Sequence, residues 1–292
     1  MSDLFDNCEN ITSSEFKIML DNTNEMAQES KSFCEKLWEK FEPYADGHFL
    51  SEIKSDEKFQ DRFWEMHLGN VLLEKGFNIS SKNKGPDFKI DLNGQIIWIE
   101  AITASNGKKN KEDSLEKRIS DENFHVINEE KVSLRLTNAI SIKNQKIKNY
   151  LKKSIIKDNE CVIIAINTSK INDIRFARLE EYSKKILFSF SNSFILDESN
   201  KYVRITKSHI TKKNGSKVNS NIFLDTTYEN IGGILFSASS YSNYPEELNN
   251  KYFLVSNPFA KNKLPKEIFS IAKRVLFYES DELIKLFKKD EK

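Results

Sequence analysis

The chain has 292 residues, enough to bury a large core, and its 45 basic side chains nearly balance 44 acidic ones. A net charge of +1 excludes general stickiness to polyanions, so any such contact has to be local. With 30% charged residues, no run long and apolar enough for a membrane span, and an N-terminus opening on Ser2, Asp3 and Asp6 rather than a leader pattern, a cytoplasmic protein without membrane partners is expected.

Several chemistries find no support. Cys8, Cys34 and Cys161 are odd in number and far apart, and His48, His67, His125 and His209 lack metal-ligand spacing. Nor is there a Walker A or Gly-x-Gly-x-x-Gly sequence, so no nucleotide cofactor is expected.

Residues 1–58 form an acidic segment of helical pattern, with Phe33, Leu37, Trp38 and Phe41 on one face of a helix from Ser30 to Phe41. It would serve as a lid, a dimerisation arm or a packing layer. A second helix is predicted from about Gln60 to Lys75, with the stripe Trp64, Leu68, Val71, Leu72 and a stop at Gly76. Glu65 lies beside that stripe, placed either toward the sheet or in solvent.

Phe77 to Ser80 is predicted as a strand, followed by Gly85-Pro86-Asp87 and the Asn93-Gly94 turn. As the two-residue loop of a type I′ hairpin, that turn pairs Leu92 with Gln95, and five steps further out it sets Asp87 opposite Glu100. Directly opposed side chains are about 5 Å apart. At an effective dielectric near 20, two carboxylates there repel by roughly 3 kcal/mol. Glu100 also interrupts the run Ile96, Ile97, Trp98, Ile99, Ala101, Ile102, which is apolar on both faces and reads as a central strand. A proton or a cation has to offset the pair. Each acid alone has a plainer reading: Asp87 as a solvated strand start, Glu100 as the partner of a lysine.

Residues 106–131 are highly polar and read as a long mobile loop. On the helix that follows, Leu136, Ala139, Ile140, Ile147, Tyr150 and Leu151 form the apolar stripe, and Lys143 falls within it. It either faces the acids or snorkels to water. Cys161 to Asn167 is a continuous apolar strand, completing a strand-helix-strand crossover expected to be right-handed. Residues 135–157 hold six lysines and one arginine without an acid, and residues 201–217 form a second acid-free basic stretch, read as a hairpin around Lys213-Asn214-Gly215. Helix over Phe176 to Phe188, strands over Ile231 to Ser237 and Tyr252 to Ser256, and two closing helices are expected beyond.

Glu65 on a helix, Pro86-Asp87, and Glu100 after a twelve-residue spacer resemble the PD-(D/E)XK nuclease superfamily, over residues 63–167. The resemblance implies an α/β fold with a restriction-endonuclease-like mixed central sheet flanked by helices. It divides the chain into an N-terminal helical segment (1–58), a nuclease core (59–168) and a C-terminal α/β extension (169–292) packed on that core. It further implies Asp87 and Glu100 as ligands of Mg²⁺, or Mn²⁺, with Glu65 binding metal or orienting water. DNA is then the substrate, in restriction or anti-phage defence, and a homodimer is compatible with cutting two strands. One position departs from the pattern. Ile102 stands where the family places its lysine. Lys143 resembles a variant in which that lysine has moved to the next helix, with Lys84 and Lys108 as weaker substitutes. The alternative is a catalytically inactive module that binds nucleic acid or a protein partner.

Overall fold

The computed structural model describes residues 3–6, 9–80, 85–107, 114–115, 128–171, 176–196, 202–206, 209–212 and 215–279. Four helices come first: α1 (Ser14–Asp21), α2 (Glu25–Phe41), α3 (Phe49–Ile53) and α4 (Phe59–Glu74). Ser13 and Asn24 cap α1 and α2 by accepting from Phe16 N and Ala27 N. α2 approaches α4 closely where Gly69 leaves room. A Cβ there would lie 2.5 Å from the Phe41 ring.

Strands β1 (Ile79–Ser80), β2 (Phe88–Leu92) and β3 (Gln95–Ser105) follow, then α5 (Glu129–Lys152), β4 (Cys161–Lys170) and α6 (Phe176–Phe188). The second half adds β5 (Phe190–Leu196), β6 (Tyr202–Thr206), β7 (His209–Thr211), β8 (Lys217–Asn219), β9 (Gly233–Ser237), β10 (Tyr252–Ser256) and β11 (Arg274–Leu276). Seven of these make one mixed sheet in the order β1-β2-β3-β4-β9-β10-β11. β3, β4 and β9 run parallel, while β1/β2, β2/β3 and β9/β10 are antiparallel. The protein is therefore a mixed α/β structure whose central sheet is flanked by helices.

Strand alternation sorts two cores onto the two faces. Ile97, Ile99, Ile163 and Leu254 join Phe63, Trp64, Leu68 and Leu72 of α4 on one side. Trp98, Ile164, Ile166 and Phe236 join Leu136, Ile140 and Ile147 of α5 and Leu179 of α6 on the other. Each such side chain contributes about 1.5–3 kcal/mol by leaving water. Trp64 also donates from Nε1 to Ala165 O at 3.1 Å, fixing α4 over the sheet.

Three expectations need correction, and a fourth falls mostly outside the described residues. The helix expected from Leu136 starts at Glu129, because Asn128 accepts from Lys131 N and two glutamates occupy the first turn. Most of the expected 106–131 loop lies outside the described residues; within it, Leu115 is buried and its N–H bonds Asn106 O. The strand at Tyr202 pairs backward with β5 rather than across the glycine turn, and the turn instead joins the short β7 and β8. Finally, the first of the two closing helices is a 3-10 segment, Lys266–Ile271, followed by strand β11 alongside β10; the second falls outside the described residues. Among the described residues no helix is long and apolar enough to cross a membrane.

Candidate functional site

The hairpin delivers the first acid. β2 pairs with β3 from Leu92↔Gln95 to Phe88↔Ile99, with Asn93 and Gly94 both at positive φ, as the two-residue loop requires. The chain leaves the ladder at Asp87, and there the side chain makes the next bond in the series. Asp87 Oδ2 accepts from Ala101 N at 2.6 Å. Burial, and then the nearby Glu100 carboxylate, push the Asp87 carboxyl above its usual range, against the pull of Lys143, Lys146 and the Ala101 amide.

Glu100 sits on the α5 face of β3, between β2 and β4, with no solvent exposure. Its two oxygens are treated very differently. Oε1 accepts from Lys143 Nζ at 2.7 Å and from Lys146 Nζ at 2.6 Å. Oε2 is buried without a partner. A buried acceptor left so costs about 1–3 kcal/mol, and more when charged.

The two lysines come from one face of α5. Lys143, on the apolar stripe, has a side chain 13% exposed; Lys146, one turn later, is 44% exposed with its ammonium 5.6 Å from the centre of the Tyr150 ring. Burial alone would lower the Lys146 ammonium, but Glu100 and Asp87 outweigh it and raise its pKa. Tyr150 donates from Oη to Gly85 O at 2.9 Å, tying α5 to the segment that carries Asp87. Lys146 and Tyr150 are the residues that sequence reasoning missed at this site. Their signal was the spacing from Lys143: positions three and seven further on share its helix face.

Across the cleft stands α4, held to the end of β3 by Thr103 N donating to Asp61 Oδ1 and Thr103 Oγ1 donating to Gln60 O. Glu65 is buried there. Burial, then repulsion from Asp87, raises its carboxyl to about 7, opposed by Arg62. Arg62 lies one turn before it, with Nη1 2.6 Å from Glu65 and 2.9 Å from Asp46, and Nη2 2.6 Å from Glu52. Neither Asp46 nor Glu52 was singled out by the sequence.

Between these walls is a cleft of about 500 Å³, lined by Glu65, Asp87, Ile102, Ile142, Lys143 and Lys146 among others. Glu65, Asp87 and Lys143 thus line one opening, while Glu100 is wholly buried and meets it only through its bonds to Lys143 and Lys146. Lys84 and Lys108 lie outside the described residues. Among the described residues no three His, Cys, Asp or Glu side chains are gathered as a ready-made metal cage. A Mg²⁺-type ion does not need one, since it takes one or two carboxylates and completes its shell with water and phosphate oxygens. The unpartnered Glu100 Oε2 and the crowded, repelling Asp87 are oxygen donors of the kind such an ion prefers. No family model, curated protein or solved structure matches the chain.

Proposed function

We propose that the protein is a metal-dependent endonuclease of the PD-(D/E)XK type that hydrolyses DNA phosphodiester bonds, acting in restriction or anti-phage defence. The observation that carries this reading is Glu100: a fully buried carboxylate beside Asp87, with one oxygen facing two lysines and the other facing none. A buried carboxylate placed for structure alone ordinarily has both oxygens paired.

In this reading Asp87 and Glu100 hold Mg²⁺ or Mn²⁺. The ion supplies charge neutralisation at the phosphate and acidifies water. Lys143, low in the cleft, presents its ammonium to the phosphate under attack and stabilises the charge that develops there. Glu65, with a carboxyl near neutrality, is suited to orient the attacking water and exchange its proton. Water adds across one P–O bond; the entering oxygen loses a proton and the leaving oxygen gains one.

Cleavage of plasmid DNA with Mg²⁺ or Mn²⁺ tests this, comparing the wild type with Asp87→Asn and Lys143→Ala. Cutting by the wild type that disappears in both supports the assignment; loss in Asp87→Asn alone removes Lys143 from it. A second reading, a binding module without catalysis, is favoured by Ile102, which supplies no charge where the family has a lysine. DNA retained without cutting would select it.

A further inference from the structure

We infer that the α5 wall is the track for the substrate strand, with Lys146 holding the phosphate next to the one that Lys143 contacts. The site then takes two consecutive phosphodiesters at once, which defines its substrate as a polynucleotide rather than a small phosphate ester. This rests on the reading above.

Charge sets the path first. On the α4 wall Asp46, Glu52 and Glu65 share Arg62, and Asp61 and Lys58 also line the cleft, so that wall keeps a net negative charge. On the α5 wall Lys143 and Lys146 match Glu100 and Asp87 charge for charge, so that wall is the less repelling of the two. A strand entering the cleft is drawn to α5.

The two lysines then divide the work. Both ammoniums rest on the same Glu100 oxygen, so they are close neighbours of like charge. One attacked phosphate needs one of them. Lys143 is the shielded member and stays near the acids, whereas Lys146 is at the rim, more than three times as exposed, and stacked over Tyr150. The two Nζ atoms lie 2.7 and 2.6 Å from that shared oxygen, close enough together for one strand to meet Lys143 with one phosphate and the more exposed Lys146 with the next. Ile142, 53% exposed beside Lys143, offers the intervening sugar an apolar surface.

The test is binding of fluorescein-labelled trithymidylate, which has two linkages, measured by anisotropy in Ca²⁺ and in EDTA. Each linkage is replaced in turn by a neutral methylphosphonate, and each probe is titrated against wild type, Lys143→Met, Lys146→Met and Lys146→Arg. Lys146→Met should weaken binding about tenfold, the scale of one charge-assisted contact. It should also become insensitive to neutralising one linkage, while Lys143→Met becomes insensitive to the other; Lys146→Arg should keep the wild-type pattern. Coupling of both lysines to the same linkage, or additivity at both, overturns the inference, as does failure of the wild type to bind the probe. Because the readout is binding, the paired couplings would still be seen if plasmid cleavage failed and the nuclease reading fell.

Discussion

The two walls of the cleft carry inverse charge arrangements. On α4, one guanidinium serves three carboxylates; on α5, one carboxylate serves two ammoniums. Arginine's planar fork of five donors meets several acids at once, so the α4 wall is satisfied by protein groups. Glu100 cannot do the converse, because both lysines crowd one oxygen and the other has no partner. The saturated wall is scaffold apart from Glu65, whose carboxyl burial and Asp87 hold near 7, and the unsaturated one has capacity for a ligand.

The contrast is broken most severely at Asp87. Asp87→Asn should reduce plasmid cleavage by about 10³-fold, the scale of losing a main electrostatic contributor. It should also abolish the rise in melting temperature with Mg²⁺ that mass action produces in the wild type. A Mg²⁺ shift that survives the substitution would remove Asp87 from the metal site.

On the scaffold side the expected loss is one of stability. Arg62→Met strips three acids of their common partner and should destabilise the fold by about 3 kcal/mol in urea unfolding. A change below about 1 kcal/mol would mean that water, not Arg62, satisfies those acids.

Acid sharpens the comparison from behind the α4 wall. His67 is fully buried, with Nδ1 2.8 Å from Tyr252 Oη, and burial lowers its pKa from 6.5 to about 3. The unfolded chain therefore binds the proton first; stability is fully present above pH 6.5 and is lost as pH falls toward 3. Between pH 6.5 and 5 this group should cost about 2 kcal/mol. Urea unfolding of His67→Leu across that window should show a shallower slope than wild type; equal slopes would assign the acid loss to other groups.

The smallest effect concerns the hairpin that presents Asp87. Gly94 has φ +88°, so Gly94→Ala should lower stability by about 1 kcal/mol in thermal unfolding. Cleavage should persist, because the turn positions Asp87 through five paired residues rather than touching it. Loss of cleavage in a folded variant would show that the site depends on the turn itself.

Much of this was legible in short stretches. Asn93-Gly94 determined the β2/β3 register as far as Phe88↔Ile99, because a two-residue turn leaves only one pairing, but Asp87 leaves the ladder before the expected pairing with Glu100 and accepts from Ala101 N instead. The stripe on α5 placed Lys143 inward, and apolar runs located α6 and β10 at their observed limits. Asn128 was a readable cap that went unread, and so was the 143-146-150 spacing. Other features had no local signal. That Arg62 would gather Asp46 and Glu52 depends on how the chain crosses over α4 before entering it, and that β6 would turn back to β5 depends on competition between partners. Periodicity and turn chemistry act over a few residues, so the sequence by itself determined most core elements and the hairpin register. Ion pairing and burial act through space, so only the tertiary structure decided that Glu100 would be wholly buried, share one oxygen between Lys143 and Lys146, and leave the other unpaired.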